Sequence, residues 1–381
     1  MWLSPTSPAG EWLGFVSAVW VQSVSGNTYS SSKYSQALES IMNLTQLQLN
    51  NLSVAKDVGI AFGLLAGISS HRLPTPALLL IGSIAGFIGY GGQWLVISAT
   101  IQSPPYWLMC IFMCLGGNSG TWMNTAVLVT CFRNFRNHRG PVAGILKGYL
   151  GLSSAIFTDF CTALFSDSDY TYLLMLAIVP FVVCFTGIIF LREVPPSSTT
   201  GETEETRYLV VFNVVAVAVA VYLLAFDLSG THGEAFSLAF AVTLLILLAS
   251  PLLIPLYVAL SSSNKSTSTS SSYIESDVTS PLLAASEEES NRDTVVEVER
   301  RRRAVIGEDH TALEALAAID FWVLFVSFLC GVGPAITVTN NLGRMAVAFG
   351  YTDDSIFVSL FSIGGFFGRI SSGWVSEFFI K

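Results

Sequence analysis

About ten apolar stretches, each roughly long enough to cross a bilayer as a helix, leave this chain few ways to fold. They lie near residues 12–32, 53–71, 77–99, 106–131, 141–165, 170–191, 208–227, 236–260, 319–340 and 355–378. The chain is 52% hydrophobic and 12% charged, against about 25% charged in soluble domains, so most of its surface faces lipid or other apolar helices. A soluble helical bundle needs polar faces that these stretches lack. An outer-membrane barrel needs short alternating strands, which are absent. The expected fold is an all-α, polytopic helical membrane protein.

Basic residues set the expected topology. Arg72, the trio Arg133, Arg136 and Arg139, the pair Arg192 and Arg207, the loop from Lys265 to Arg303, and Lys381 all fall in alternate connections. The intervening connections 98–105, 166–169 and 227–234 contain no Lys or Arg, and Lys33, Lys56 and Arg344 are the exceptions. The positive-inside rule then places both termini and the long loop in the cytoplasm. The N-terminus has no Lys or Arg before Glu11 and no small-residue cleavage site, so no signal peptide is read. The net charge of −9 lies largely in one acidic loop and says nothing of partners.

That loop, residues 261–318, is rich in Ser, carries Glu287-Glu288-Glu289, and ends in Arg300, Arg301, Arg302 and Arg303. Low hydrophobicity predicts disorder. Either it is a tolerated linker, or it is a phosphorylation-controlled segment whose arginines touch anionic lipid. The six cysteines all sit in apolar stretches. Cys110 and Cys114 are one turn apart with no His or carboxylate beside them, so packing is expected and no metal or cofactor.

The chain also repeats itself. A shift of 310 positions places Trp12 on Trp322, Phe15 on Phe325, Val16 on Val326 and Ser17 on Ser327, and a shift of 306 places Gly59 on Gly365, Gly67 on Gly373 and Ser70 on Ser376. Parallel repeats of this kind mark one large class of membrane transporters. The domains expected are a six-helix half over 1–195, two additional helices over 196–260, the loop 261–318, and the first two helices of a second half over 319–381.

This arrangement resembles the major facilitator superfamily. Its first six segments more closely resemble the nodulin-like group of plant facilitators, the group named after a nuclear-fusion-defective mutant. The residues that carry the match are Trp12-Leu13-Gly14-Phe15-Val16, the stretch 47–67, Arg72-Leu73-Pro74, Gly116-Gly117-Asn118-Ser119, Thr121-Trp122-Met123-Asn124-Thr125, Arg139-Gly140-Pro141 and Gly144-Ile145-Leu146-Lys147-Gly148, followed by Asp320-Phe321-Trp322 and Asn340-Asn341-Leu342-Gly343. The resemblance implies a transporter-like fold without specifying a solute.

Facilitators usually carry Gly-x-x-x-Asp-Arg-x-Gly-Arg between helices two and three, where it locks one conformation. Here Gly67 and Arg72 fit, His71 stands where the acid is usual, and Pro74 replaces the second glycine. Gly373 and Glu377 form the second copy, with the acid kept. Glycine in each copy would permit close helix approach; the alternative is a plain helix end with a snorkelling arginine. Gly140-Pro141 opens the fifth helix, where proline suits the first turn whether or not it has an antiport role.

Ionisable groups within the bilayer are costly and so are candidate sites. Lys147 is read as a buried cation able to hold an anionic substrate, and Asp159 lies roughly 18 Å further along the same helix. Lys56 and Asp57 are adjacent, pointing to different faces near the outer end of helix two. Snorkelling to the nearest surface is the alternative for each. Gln22, Asn27, Thr28 and Tyr29 cluster in helix one, and Asn118, Trp122 and Asn124 in helix four, with Asn118 and Trp122 on one face. The resemblance places helices one and four, with their repeats, around a central cavity, which brings Asn340 into the same set. Interhelical packing bonds are the equal alternative.

With no nucleotide-binding loop, metal constellation or activated nucleophile, the chain is read as a non-enzyme: a facilitator-type protein moving a small solute by alternating access. The alternative is a non-transporting membrane protein, truncated in its second half and serving as an assembly partner. A third expectation is that a normal transporter has been cut short at the gene-model stage.

Overall fold

The computed structural model describes residues 7–26, 31–165, 168–194, 202–229, 233–269, 312–350 and 355–380. Among the described residues the chain is helical throughout, with no strand. Asn27, Thr28, Tyr29 and the arginines Arg300–Arg303 lie outside them, as do the side chains of Arg344 and Glu377.

Lipid offers no partner for backbone polar groups, so apolar stretches close their hydrogen bonds internally as helices. The helices are α1 (Pro8–Ser25), α2 (Ser32–Met42), α3 (Gln46–Ala61), α4 (Gly63–Ser69), α5 (Thr75–Ile97), α6 (Tyr106–Asn134), α7 (Arg139–Phe165), α8 (Asp169–Phe190), α9 (Glu202–Ser229), α10 (Glu234–Ala249), α11 (Leu253–Thr269), α12 (Ala312–Ala317), α13 (Ile319–Asn340), α14 (Leu342–Ala348) and α15 (Ser355–Ile380). Among the described residues, seven helical runs are both long and apolar enough to cross a membrane; α3 and α4 form one of them, and α10 and α11 another. Helices α1, α6 and α15 have 18, 29 and 26 residues. The chain is an all-α polytopic membrane protein.

Two local departures from the expected segments have plain causes. The first stretch, expected to run to residue 32, stops as a helix at Ser25, where Gly26 packs against the Leu150 carbonyl of α7 with no room for a Cβ. A separate helix, α2, follows. Asn43 closes it in the left-handed conformation, φ 48°, and Thr45 opens α3 with a capping box: Gln48 N donates to Thr45 Oγ1 at 3.3 Å and Thr45 N to Gln48 Oε1 at 2.9 Å. The stretch 236–260 is broken by a short 3-10 turn, Ser250–Leu252, because Pro251 lacks an N–H for the ladder. There the Trp20 indole donates to the Leu248 carbonyl at 2.8 Å, tying α1 to the break.

Two compact units emerge, one of residues 1–264 with 339–381, the other of residues 265–338. The first holds the core. At one end of it Trp12 is fully buried among Phe15, Phe135, Tyr208 and Phe212, with ring centroids 5.1–6.0 Å apart. In the second unit the Trp322 indole donates to the Leu316 carbonyl at 2.9 Å, linking α12 to the start of α13.

Small residues set the helix spacing in the first unit. Gly82, Gly86 and Gly89 of α5 face Ser119 and Gly116 of α6, and Gly59 of α3 lies against the Cys114 backbone of α6. Helix α15 packs along α7 in the opposite direction. Gly373 meets Gly144, Gly148 meets Phe366 and Ile370, Gly151 meets Arg369, and Asp159 meets Ser359, so positions rise along one helix as they fall along the other. In a bilayer this close approach through glycine replaces the missing hydrophobic drive.

Candidate functional site

A chain of polar side chains crosses three helices where their surroundings are apolar. Ser25 Oγ donates to Gln22 Oε1 at 3.1 Å, Gln22 Nε2 donates to Asn124 Oδ1 at 3.1 Å, and Lys147 Nζ donates to the same Asn124 oxygen at 3.1 Å. Gln22 is fully buried on α1, while Asn124 of α6 and Lys147 of α7 are partly buried. One acceptor therefore fixes an amide and an ammonium from helices far apart in sequence, and it leaves two of the three Lys147 N–H donors unspent among the described residues.

Asn118 and Trp122 share a face of α6 and are spent on packing: the Trp122 indole donates to Asn118 Oδ1 at 2.8 Å, and Asn118 Nδ2 donates to the Gly59 carbonyl of α3 at 3.0 Å. Asp159 lies away from Lys147, buried at the far end of α7, and accepts a hydrogen bond from Ser359 Oγ of α15 at 3.0 Å.

Asn340 joins a different group. Its Oδ1 accepts from Lys56 Nζ at 2.7 Å and its Nδ2 donates to Asp57 Oδ2 at 3.0 Å, while Lys56 also donates to Ser31 Oγ at 2.9 Å. Lys56 and Asp57 lie 3.8 Å apart as an ion pair, and Lys56 is 4% exposed. The expectation that these neighbours point to different faces is thus corrected, and of the two alternatives for Lys56 the buried one holds. The long lysine stem and the shorter carboxylate reach one amide 284 positions away, and a buried charge with three partners needs no water.

The two copies of the loop motif differ in their surroundings. Gly67 is exposed, with open space where a Cβ would go, and His71 and Arg72 are exposed with no side-chain partner among the described residues. Gly373 is buried, and a Cβ there would lie 2.8 Å from the Gly140 carbonyl and 2.9 Å from Gly144 Cα.

Arg369 was not singled out in the sequence, although the rule that points to Lys147 applies to it: it is a charge inside an apolar stretch. Its guanidinium sits in a slot between Gly365, one turn back on α15, and Gly151 of α7. It is partly buried and feels the charge of Lys147.

At the end of the bundle holding Trp12, charges gather before the apolar stretches begin. Arg133 pairs with Glu193, Asn134 Nδ2 donates to the Arg192 carbonyl at 3.0 Å, and the His138 ring lies 3.7 Å from Glu205. Glu11, one residue ahead of the first apolar stretch, has its carboxyl pushed up to about 7 by burial and then by the nearby Glu205.

An apolar cavity of about 360 Å³ opens elsewhere, between α1, α7, α8 and α10, lined by residues such as Trp20, Phe157, Phe160, Met175 and Leu245. Among the described residues, none of those expected to bind solute lines it.

The pattern of the Nodulin-like family matches residues 11–256. The chain is 29% identical over 376 residues to Protein NUCLEAR FUSION DEFECTIVE 4 of Arabidopsis thaliana, covering 95% of this chain and 63% of that protein. It is 28% identical over 203 residues to Probable transporter mch1 of Emericella nidulans, covering 48% of this chain and 32% of that one. The chain thus spans less than two thirds of the length of these relatives. With the match over 11–256 running from the first turn of α1 past the end of α10, the chain belongs to the Nodulin-like family.

Proposed function

We propose that this protein is a membrane transporter of the facilitator type, moving a small polar solute by alternating access. The observation that carries the reading is the polar chain Ser25–Gln22–Asn124–Lys147, which links α1, α6 and α7 inside an otherwise apolar bundle. Such groups are costly in lipid and gather where a solute or ion passes. Family membership and a relative named as a probable transporter support the same reading. In it, Gln22, Asn124 and Lys147 face the solute, and the bonded pair Asn118–Trp122 forms a wall that holds α6 against α3. The Lys56–Asp57–Asn340 group fastens the outer end, and the loop after Gly67 lies on the cytoplasmic side with the termini. The protein is read as a non-enzyme without a cofactor.

The test is uptake into proteoliposomes holding the full chain, with labelled succinate, phosphate, glucose and glycine as probes. Uptake of any of these above protein-free vesicles, lost in Asn124→Leu, is the expected result. A folded protein that moves none of them would overturn the reading in favour of a non-transporting assembly role.

A further inference from the structure

Arg369 sits eleven residues from one end of α15 and fourteen from the other. At 1.5 Å per residue its Cα is about 16 Å or more from either end of the helix, far from the level of lipid headgroups. A guanidinium at that depth needs a partner. Among the described residues it has no hydrogen-bond or ion-pair partner, and its neighbour in charge is another cation, Lys147. The nearest acid along α7, Asp159, is eight residues beyond Gly151 and already accepts from Ser359.

The space around the guanidinium is shaped by two glycines. A Cβ at Gly151 would collide with Nη1 of Arg369, and one at Gly365 would lie 3.2 Å from it. The guanidinium is held at the α7–α15 seam by the absence of side chains at these two positions. Lys147 is one turn back from Gly151 on α7 and brings unspent donors to the same region, and the Asn124 amide that anchors it keeps its own N–H donors unspent among the described residues. Among the described residues donors are in excess, the acceptor that Lys147 meets, Asn124 Oδ1, already takes two hydrogen bonds, and two positive charges repel across a low-dielectric seam.

We infer that Lys147 and Arg369 together form a binding site for a small oxyanion, a carboxylate or phosphate group that accepts the two-pronged guanidinium on one side and the ammonium on the other. The planar fork of arginine matches two coplanar oxygens, and the lysine adds a point charge. An anion here neutralises the repulsion that the empty pair carries and bridges α7 to α15, so occupancy tightens the seam between the first six-helix block and the start of the second. The inference rests on the transport reading for why a solute reaches this depth, and binding is therefore measured apart from uptake.

The experiment uses the full chain in nanodiscs of phosphatidylcholine, with the unfolding midpoint followed against acetate, succinate and inorganic phosphate. Sodium chloride at equal ionic strength and glucose serve as controls. At least one oxyanion raises the midpoint with saturation where chloride and glucose do not. Apparent affinity falls at least tenfold in Arg369→Gln and in Lys147→Gln, and less in Arg369→Lys, which keeps the charge without the fork. Gly151→Ala keeps both charges and adds a methyl against the flexible end of Arg369, so it folds and still weakens binding. Helicity by circular dichroism confirms folding of each variant.

No oxyanion effect in the folded protein overturns the inference, as does binding unchanged in Gly151→Ala and Lys147→Gln together. Loss of succinate and phosphate binding when phosphatidic acid is added to the discs assigns the site to a lipid headgroup and overturns the solute reading. Uptake of glucose or glycine without oxyanion binding leaves transport standing and removes the anion site. Oxyanion binding without uptake does the reverse.

Discussion

Ser359 donates its hydroxyl to a buried Asp159 carboxylate across 3.0 Å, joining residues 200 positions apart on α15 and α7. An intramolecular hydrogen bond contributes about 0.5–1.5 kcal/mol, and Asp159 keeps a further contact when this one is lost. Ser359→Ala is expected to cost near the low end of that range, read as a lower thermal midpoint in detergent, and to leave helicity unchanged.

At the other end of the same pair of helices, Gly373→Ala places a methyl against the backbone of Gly140 and Gly144, which cannot yield as a side chain can. Overpacking of this kind costs about 1–3 kcal/mol. Gly67→Ala and Gly368→Ala, where a Cβ meets open space, are the controls: their midpoints stay level or rise, since alanine is the better helix former by about 1 kcal/mol.

Glu11 gives the protein a pH dependence of definite sign. Its folded value of about 7 lies above the ordinary 4.5, so the folded state holds the proton more tightly. The contribution of this carboxyl to stability is fully present below pH 4.5 and is lost as pH rises through 7. Glu11→Gln is therefore expected to raise the midpoint relative to wild type more at pH 8 than at pH 5. Equal effects at both values would remove burial as the cause.

Asn124→Leu breaks two hydrogen bonds at one oxygen, those from Gln22 and Lys147. Interhelical bonds in membranes contribute about 0.6 kcal/mol each, so the stability loss is about 1 kcal/mol. Uptake or binding is expected to fall far more than stability does. Comparing the midpoint shift with transport at saturating solute separates the two roles.

Much of the scaffold could be read before any coordinates, because the bilayer imposes long apolar helices. Lys147 was legible by the same logic, as a charge in an apolar stretch. Arg369 carried an equal signal and was overlooked beside Gly373, whose place in a known motif drew the reading to the helix end. Helix α2 was hidden because it begins where the first apolar stretch ends and is largely polar, so hydropathy does not mark it. The sharing of Asn340 by Lys56 and Asp57 had no local signal, since the partner lies more than 280 positions away. Asn118 and Trp122 could be placed on one face, but which acceptor they met depended on how closely α3 approaches α6 at Gly59.

The seam between α7 and α15 is lined by Gly144, Gly148 and Gly151, so for much of its length backbone faces α15 directly. Side chains can change rotamer and absorb a shift of a fraction of an ångström; bare backbone cannot. Gly144 meets Gly373 backbone to backbone, while Gly148 and Gly151 receive the side chains of Phe366, Ile370 and Arg369. The seam is therefore stiff at its Gly144–Gly373 end, where a methyl meets backbone, and yielding at its Arg369 end, where a methyl meets the far end of a side chain.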